Sequence, residues 1–93
     1  MTTGIFRCKH TEALYLGKPT KHFRAFQSVA ERKLQMLDIA RRIDDLRIPP
    51  ANRLEALKGN RRGQFSMRIN DQWRLCFRFE DGNAYDVEIV AYH

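Results

Sequence analysis

Between Arg53 and Phe79 the chain carries seven lysines and arginines, at positions 53, 58, 61, 62, 68, 74 and 78, against two acids, Glu55 and Asp71. That stretch accounts for most of the chain's formal net charge of +6. Together with Glu55 and the terminal pair Tyr92-His93, these cations are the residue types needed for metal-free cleavage of an RNA phosphodiester. The reaction needs a base for the 2′-hydroxyl, cations for the phosphorane and an acid for the 5′-leaving oxygen. Lys58 and Arg74 are candidates for the cations, and His93, Tyr92 and Glu55 for moving protons. Each also has a plainer role. A strand arginine is commonly solvated or ion-paired, a terminal histidine commonly frays, and Glu55 can simply pair with a nearby arginine. By composition alone the cluster is an RNA-binding surface, not an enzyme.

The elements that must position these residues are read from periodicity. From Gln64 to Ile69 and again from Trp73 to Phe79, polar and apolar residues alternate. Period-two alternation sends neighbouring side chains to opposite faces of a sheet. One face then carries Phe65, Met67, Ile69, Trp73, Leu75, Phe77 and Phe79, and the other Gln64, Ser66, Arg68, Arg74, Cys76 and Arg78. A sheet with an apolar back and an arginine-lined front suits a polyanion.

Ninety-three residues make one domain, residues 1–93, with 43% apolar and 30% charged residues, so a single folded core is expected. The basic balance favours nucleic acid, an anionic membrane or an acidic protein as partner. Charge also changes sign along the chain: Glu80 to His93 holds four acids and no lysine or arginine. A basic patch is therefore expected rather than a uniform coat. Cys8 and Cys76 have no disulfide or zinc pattern and read as reduced thiols. The three histidines lack metal-ligand spacing, and Lys58-Gly59-Asn60-Arg61-Arg62-Gly63 lacks a phosphate-loop pattern. No cofactor is implied. No apolar run reaches transmembrane length and the first residues lack a signal peptide's hydrophobic region, so a cytoplasmic protein without membrane association is expected.

Gly4 to Cys8 reads as a short strand, and Thr11 as the N-cap of a short helix through Leu16 that Gly17 and Pro19 close. Ser28 with Glu31 has capping-box spacing and opens a helix to about Leu46. Its apolar side holds Val29, Ala30, Leu34, Met36, Leu37, Ala40 and Ile43, and Lys33 and Arg41 interrupt the stripe as side chains able to snorkel. Pro49 and Pro50 end the helical part. Strands are expected at Arg53–Leu57, Gln64–Ile69, Trp73–Phe79 and Ala84–Ala91, the last after an Asp81-Gly82-Asn83 turn. Helices first and an antiparallel meander after give an α+β fold of two layers, with the N-terminal helices on one face of a twisted antiparallel sheet.

The segments LEALKGNRRGQFSMRINDQWRLCF, ERKLQMLDIA, PPANRLEALKG and the closing VEIVAYH, with the opening FRCKHTEALYLGK, span essentially the whole chain. Through its LxxLKG motif, its Trp-Arg strand and its terminal Tyr-His, the chain strongly resembles the HigB-type killer toxins of the RelE superfamily. The resemblance implies a RelE-like fold and ribosome-dependent endonucleolytic cleavage of mRNA in the 30S A site. It also implies neutralisation by a HigA-type helix-turn-helix antitoxin, through which alone the protein would reach operator DNA. The implied chemistry is metal-free attack of the 2′-hydroxyl on the adjoining phosphate, leaving a 2′,3′-cyclic phosphate. Carried over by motif, Arg74 stabilises the phosphate, Lys58 assists by charge, Tyr92 stacks on or orients the substrate, and His93 serves as acid or base. Arg53, Arg61, Arg62, Arg68 and Arg78 would hold rRNA or the message backbone, contacts that position without specifying. One departure stands out: some members have a histidine where this chain has Glu55. A carboxylate there can still serve as a base, while Lys58 and Arg62 beside it weaken it as an acid. The same residues also suit a protein that binds RNA or the ribosome without cutting, or a degenerate toxin kept for its antitoxin complex.

Overall fold

In the computed structural model, which describes residues 6–18, 20–21 and 23–91, the alternating stretches form an antiparallel meander. Its strands are β1 (Glu55–Ala56), β2 (Phe65–Arg68), β3 (Trp73–Glu80) and β4 (Asn83–Ala91), in the order β1-β2-β3-β4. The turn into β4 is the expected one: Asp81 and Gly82 both have positive φ, 51° and 76°, as a two-residue hairpin loop requires. Before the sheet come α1 (Lys9–Tyr15) and α2 (Gln27–Ile39). Of the expected Gly4–Cys8 strand, Phe6 makes a single parallel bridge to Val87; residues 4 and 5 lie outside the described residues, as do Tyr92 and His93.

The apolar back of the sheet faces the helices. Met67, Leu75, Phe77, Val87 and Ile89 are buried against Leu14, Ala30, Leu34 and Leu37. Each large side chain so removed from water contributes roughly 1.5–3 kcal/mol. Trp73, at the start of β3, packs on Phe23 and Phe26 with ring centroids 5.9 and 5.2 Å apart. This contact pins the β3 end that carries Arg74 to the helical layer. The two-layer α+β architecture is the expected one.

The boundaries of the helices differ from the sequence reading, each for a local reason. α1 starts three residues earlier than expected, after Cys8 instead of Thr11. Thr11 is not its cap: the side chain is buried and its Oγ1 accepts a hydrogen bond from the Ile89 N–H at 3.1 Å, tying α1 to β4. Ser28 is likewise inside α2, which begins after Phe26 with no side-chain cap, and Glu31 instead accepts a bond from the Gln27 amide. The long helix to Leu46 is two pieces. α2 stops at Ile39, and Ile43–Arg47 forms a separate 3-10 turn that brings Leu46 into the same core. Apolar spacing alone cannot distinguish one long amphipathic helix from a helix and a turn that bury the same face.

The break is stabilised by Asp45, whose carboxylate accepts the Arg41 and Arg42 N–H groups at 3.0 and 3.1 Å. Those two bonds, in that order of weight, hold the Asp45 carboxyl below its ordinary pKa. A depressed carboxylate stabilises the fold above its unfolded pKa, and the contribution is lost as pH falls through the folded one. The stability difference between the wild type and Asp45→Ala, read by denaturant melts, is therefore expected to shrink as pH drops below about 4. An unchanged difference between pH 7 and pH 3 would contradict this account.

Candidate functional site

The strand register assembles one row of side chains across the open face of the sheet. Glu55 pairs with Ser66, Ser66 with Cys76, and Cys76 with Glu88. At about 4.8 Å per strand the row spans about 14 Å between Cα atoms. Two small buried side chains, Ser66 and Cys76, form its floor, with a carboxylate at either end. An arginine engages each carboxylate.

Arg74 lies in the next row, between Arg68 and Val90. Its Nε donates to Ser66 Oγ at 2.9 Å, and its Nη2 donates to the Arg53 carbonyl at 2.8 Å. Glu55 Oε1 stands 3.7 Å from the same nitrogen. The Arg74 side chain is only 11% exposed, against 56% for Glu55. The guanidinium is thus held in place by the fold, whereas the carboxylate is open to solvent. Arg53 supplies its carbonyl from a left-handed conformation, φ 45° and ψ 56°, which disfavours a residue with a Cβ.

At the other end Arg61 reaches over the sheet from the 3-10 turn Gly59–Arg61. Its Nη1 donates to Glu88 Oε1 at 2.8 Å and to Gln64 Oε1 at 3.1 Å. Lys58 caps that turn and is exposed. Burial pushes the Cys76 thiol up, an effect that Arg61 and Arg74 oppose and Glu88 reinforces. Cys76 is therefore a neutral floor residue rather than a nucleophile.

The front face carries the expected arginines, yet acids satisfy most of them. Arg68 pairs with Asp71, Arg78 with both Asp86 and Glu80, and Arg61 with Glu88. Two acids of the last segment, Asp86 and Glu88, lie on β4, where Asp86 meets Arg78 of β3 and Glu88 meets Arg61 of the 3-10 turn. Cross-strand pairs of opposite charge are mutually stabilising. Of the seven cations between Arg53 and Phe79, those without a side-chain partner among the described residues lie instead on the loops flanking the face: Arg53, Lys58 and Arg62, all exposed. The patch available to an anionic ligand therefore begins on these loops and runs inward to Arg74.

Sequence reasoning did not single out Glu88 or Ser66. The signal was present: Asp86 and Glu88 alternate with Tyr85, Val87 and Ile89, which places acids on the face opposite the core. A concavity of about 490 Å³ lies on the helical layer between Leu14, Leu16, Leu34 and Asp38, away from this row. An open face lined by charge, rather than an enclosed pocket, suits a macromolecular ligand. Tyr92 and His93 lie outside the described residues; Ala91, just before them, pairs with Trp73, the neighbour of Arg74.

Helices behind a four-stranded meander are also the fold of bacterial RelE-like toxins. The chain is similar to YoeB in the heterotetrameric YoeB–YefM toxin–antitoxin complex from Staphylococcus aureus, with a TM-score of 0.59 and 22% identity over 100% of this chain and 98% of that one. The YoeB dimer from the same organism gives 0.56 and 22%, over 99% and 97%. In sequence the chain is 45% identical over 83 residues to Toxin HigB-1 of Vibrio cholerae serotype O1 (strain ATCC 39315 / El Tor Inaba N16961), covering 85% of each. It is 36% identical over 61 residues to Endoribonuclease HigB of Proteus vulgaris, covering 66% of this chain and 65% of that protein. Residues 6–93 match the family described as RelE-like toxin of type II toxin-antitoxin system HigB. The chain belongs to that family of toxins.

Proposed function

We propose that this toxin is a ribosome-dependent endoribonuclease that stops translation by cutting mRNA in the A site, without a metal. The observation that carries the reading is the preset Arg74 guanidinium, held by Ser66 and the Arg53 carbonyl beside the solvent-open carboxylate of Glu55. A fixed cation next to an accessible base is what 2′-hydroxyl attack on the adjoining phosphate needs. Glu55 takes the 2′-hydroxyl proton, Arg74 stabilises the phosphorane with Lys58 adding charge, and the products are a 2′,3′-cyclic phosphate and a 5′-hydroxyl. Tyr92 and His93 supply base stacking and the proton for the leaving oxygen. Family membership and the name of the Proteus vulgaris relative support this chemistry. A HigA-type helix-turn-helix antitoxin neutralises the toxin and mediates any contact with operator DNA, and the site of action is the cytoplasm.

Primer extension on mRNA from induced cells tests the reading. New 5′ ends within translated codons are expected; growth arrest with intact message would overturn it in favour of a toxin that binds without cutting. Affinity and chemistry should also separate by residue. Arg62→Ala removes an exposed cation that has no side-chain partner among the described residues and no part in the proposed chemistry. It is expected to weaken ribosome binding and to flatten its dependence on salt, since each lost phosphate contact lowers the slope by about 1. Arg78→Ala, whose cation already has two acids, is expected to change that slope little.

A further inference from the structure

A buried lysine lies behind the site with no carboxylate partner among the described residues. Lys33 of α2 interrupts the apolar stripe, and its side chain was expected to reach solvent; instead the residue is 7% exposed. Its Nζ donates to Asn52 Oδ1. Asn52 is fully buried and donates from Nδ2 to the Leu46 carbonyl at 3.1 Å and the Ile48 carbonyl at 3.4 Å. One amide therefore ties α2 to the loop that ends the helical layer. The residue after it is Arg53, whose left-handed backbone presents the carbonyl that Arg74 grips.

We infer that Asn52, clamped by Lys33, is the positioning residue for Arg74: it holds the Arg53 backbone in the conformation that orients the guanidinium. The inference rests on the proposed role of Arg74 in cleavage, but its physical content, the order of that guanidinium, does not. A buried ammonium whose one partner among the described residues is an amide is costly to desolvate, and burial pushes the Lys33 pKa down, with Arg32 and Arg68 adding to the shift. A methionine would fill the same space without that cost. The clamp therefore contributes geometry where an apolar side chain would serve stability better. Without it, the αL conformation at Arg53 has less to oppose its own strain, since a residue with a Cβ relaxes readily toward negative φ.

The test compares three full-length variants. Asn52→Ala and Lys33→Met cut the clamp, the second with little change in core volume. Leu37→Ala, in the same helix and core, leaves the clamp in place. The first readout is the Arg74 Nε–H resonance and its exchange with water, measured by nitrogen-15 NMR well below each melting temperature. The second is single-turnover cleavage of ribosome-bound mRNA against toxin concentration. Cutting the clamp is expected to speed Arg74 Nε–H exchange at least tenfold. The maximal cleavage rate should fall by about 10- to 100-fold, as expected for a misplaced transition-state group, with half-saturation within twofold of wild type. Leu37→Ala is expected to lower the melting temperature and leave both readouts unchanged.

Unchanged exchange in Lys33→Met would overturn the inference, as would equal loss in Leu37→Ala, which would mark a merely structural effect. If Asn52→Ala does not fold, Lys33→Met decides. If wild-type toxin does not cleave, the proposed function fails, and NMR still decides the role of the clamp.

Discussion

Replacing Arg74 by alanine is expected to lower cleavage of ribosome-bound mRNA by about two to three orders of magnitude, the loss typical when one preorganised transition-state donor is removed. Preorganisation is visible in its contacts: two hydrogen bonds, at 2.9 and 2.8 Å, fix the side chain before any substrate arrives. Little reorganisation is then needed when charge develops on the phosphate. Arg74→Ala also strips partners from Ser66 and the Arg53 carbonyl, at a net cost of roughly 1 kcal/mol per bond. Melting curves should show a modest fall in stability that cannot explain the lost rate. Arg74→Lys keeps the charge, but one compact ammonium cannot reproduce a planar fork that meets both acceptors and a phosphate. Only partial recovery is expected. A toxin with Arg74→Ala that still arrests growth and cuts message at the wild-type rate would refute the central assignment.

Glu55→Gln is expected to lower the maximal rate by about two to four orders of magnitude, the contribution typical of a positioned general base. Glutamine is nearly isosteric and keeps an oxygen that can face Arg74, so the substitution removes proton uptake while leaving the local shape intact. β1 is only two residues long and both are exposed, which leaves Glu55 on the edge strand within reach of a large substrate. Measuring cleavage across pH distinguishes its two possible duties. If Glu55 is the base, the acidic limb of the wild-type profile should vanish in the glutamine variant. Near-normal cleavage by that variant would reduce Glu55 to a partner of Arg74 and shift the base to another group.

Much of the face that carries these two residues was legible before the structure. Alternation assigned Ser66, Arg68, Arg74, Cys76 and Arg78 to one side of the sheet, and the register places Ser66, Cys76 and Glu88 in one row there. The Asp81-Gly82 step specified the hairpin because few residues tolerate its positive φ angles. Helix limits were less legible. The 28–46 stripe was apolar at helical spacing, but the chain breaks after Ile39, where Asp45 binds the Arg41 and Arg42 amides. A side chain that folds back on its own backbone leaves no periodic trace. Lys33 was misread for a similar reason: snorkelling is the default for a lysine in an apolar stripe, and only the presence of Asn52 nineteen residues away makes burial tolerable.

The same division explains the charge. Which face a strand residue occupies follows from period-two backbone geometry, a property of a few consecutive residues, so the arginine-bearing front and the toxin family motifs could be read from the chain alone. Which cations stay available does not follow from local geometry. It depends on the antiparallel return that sets acidic β4 beside basic β3 and neutralises Arg61 and Arg78, while Arg53, Lys58 and Arg62 keep no described side-chain partner. Ion pairing is a contact between residues distant in sequence, and folding alone decides it. The fold thereby changes a largely cationic stretch into a neutralised sheet face, loop cations with no side-chain partner among the described residues, and one arginine held in place by the fold.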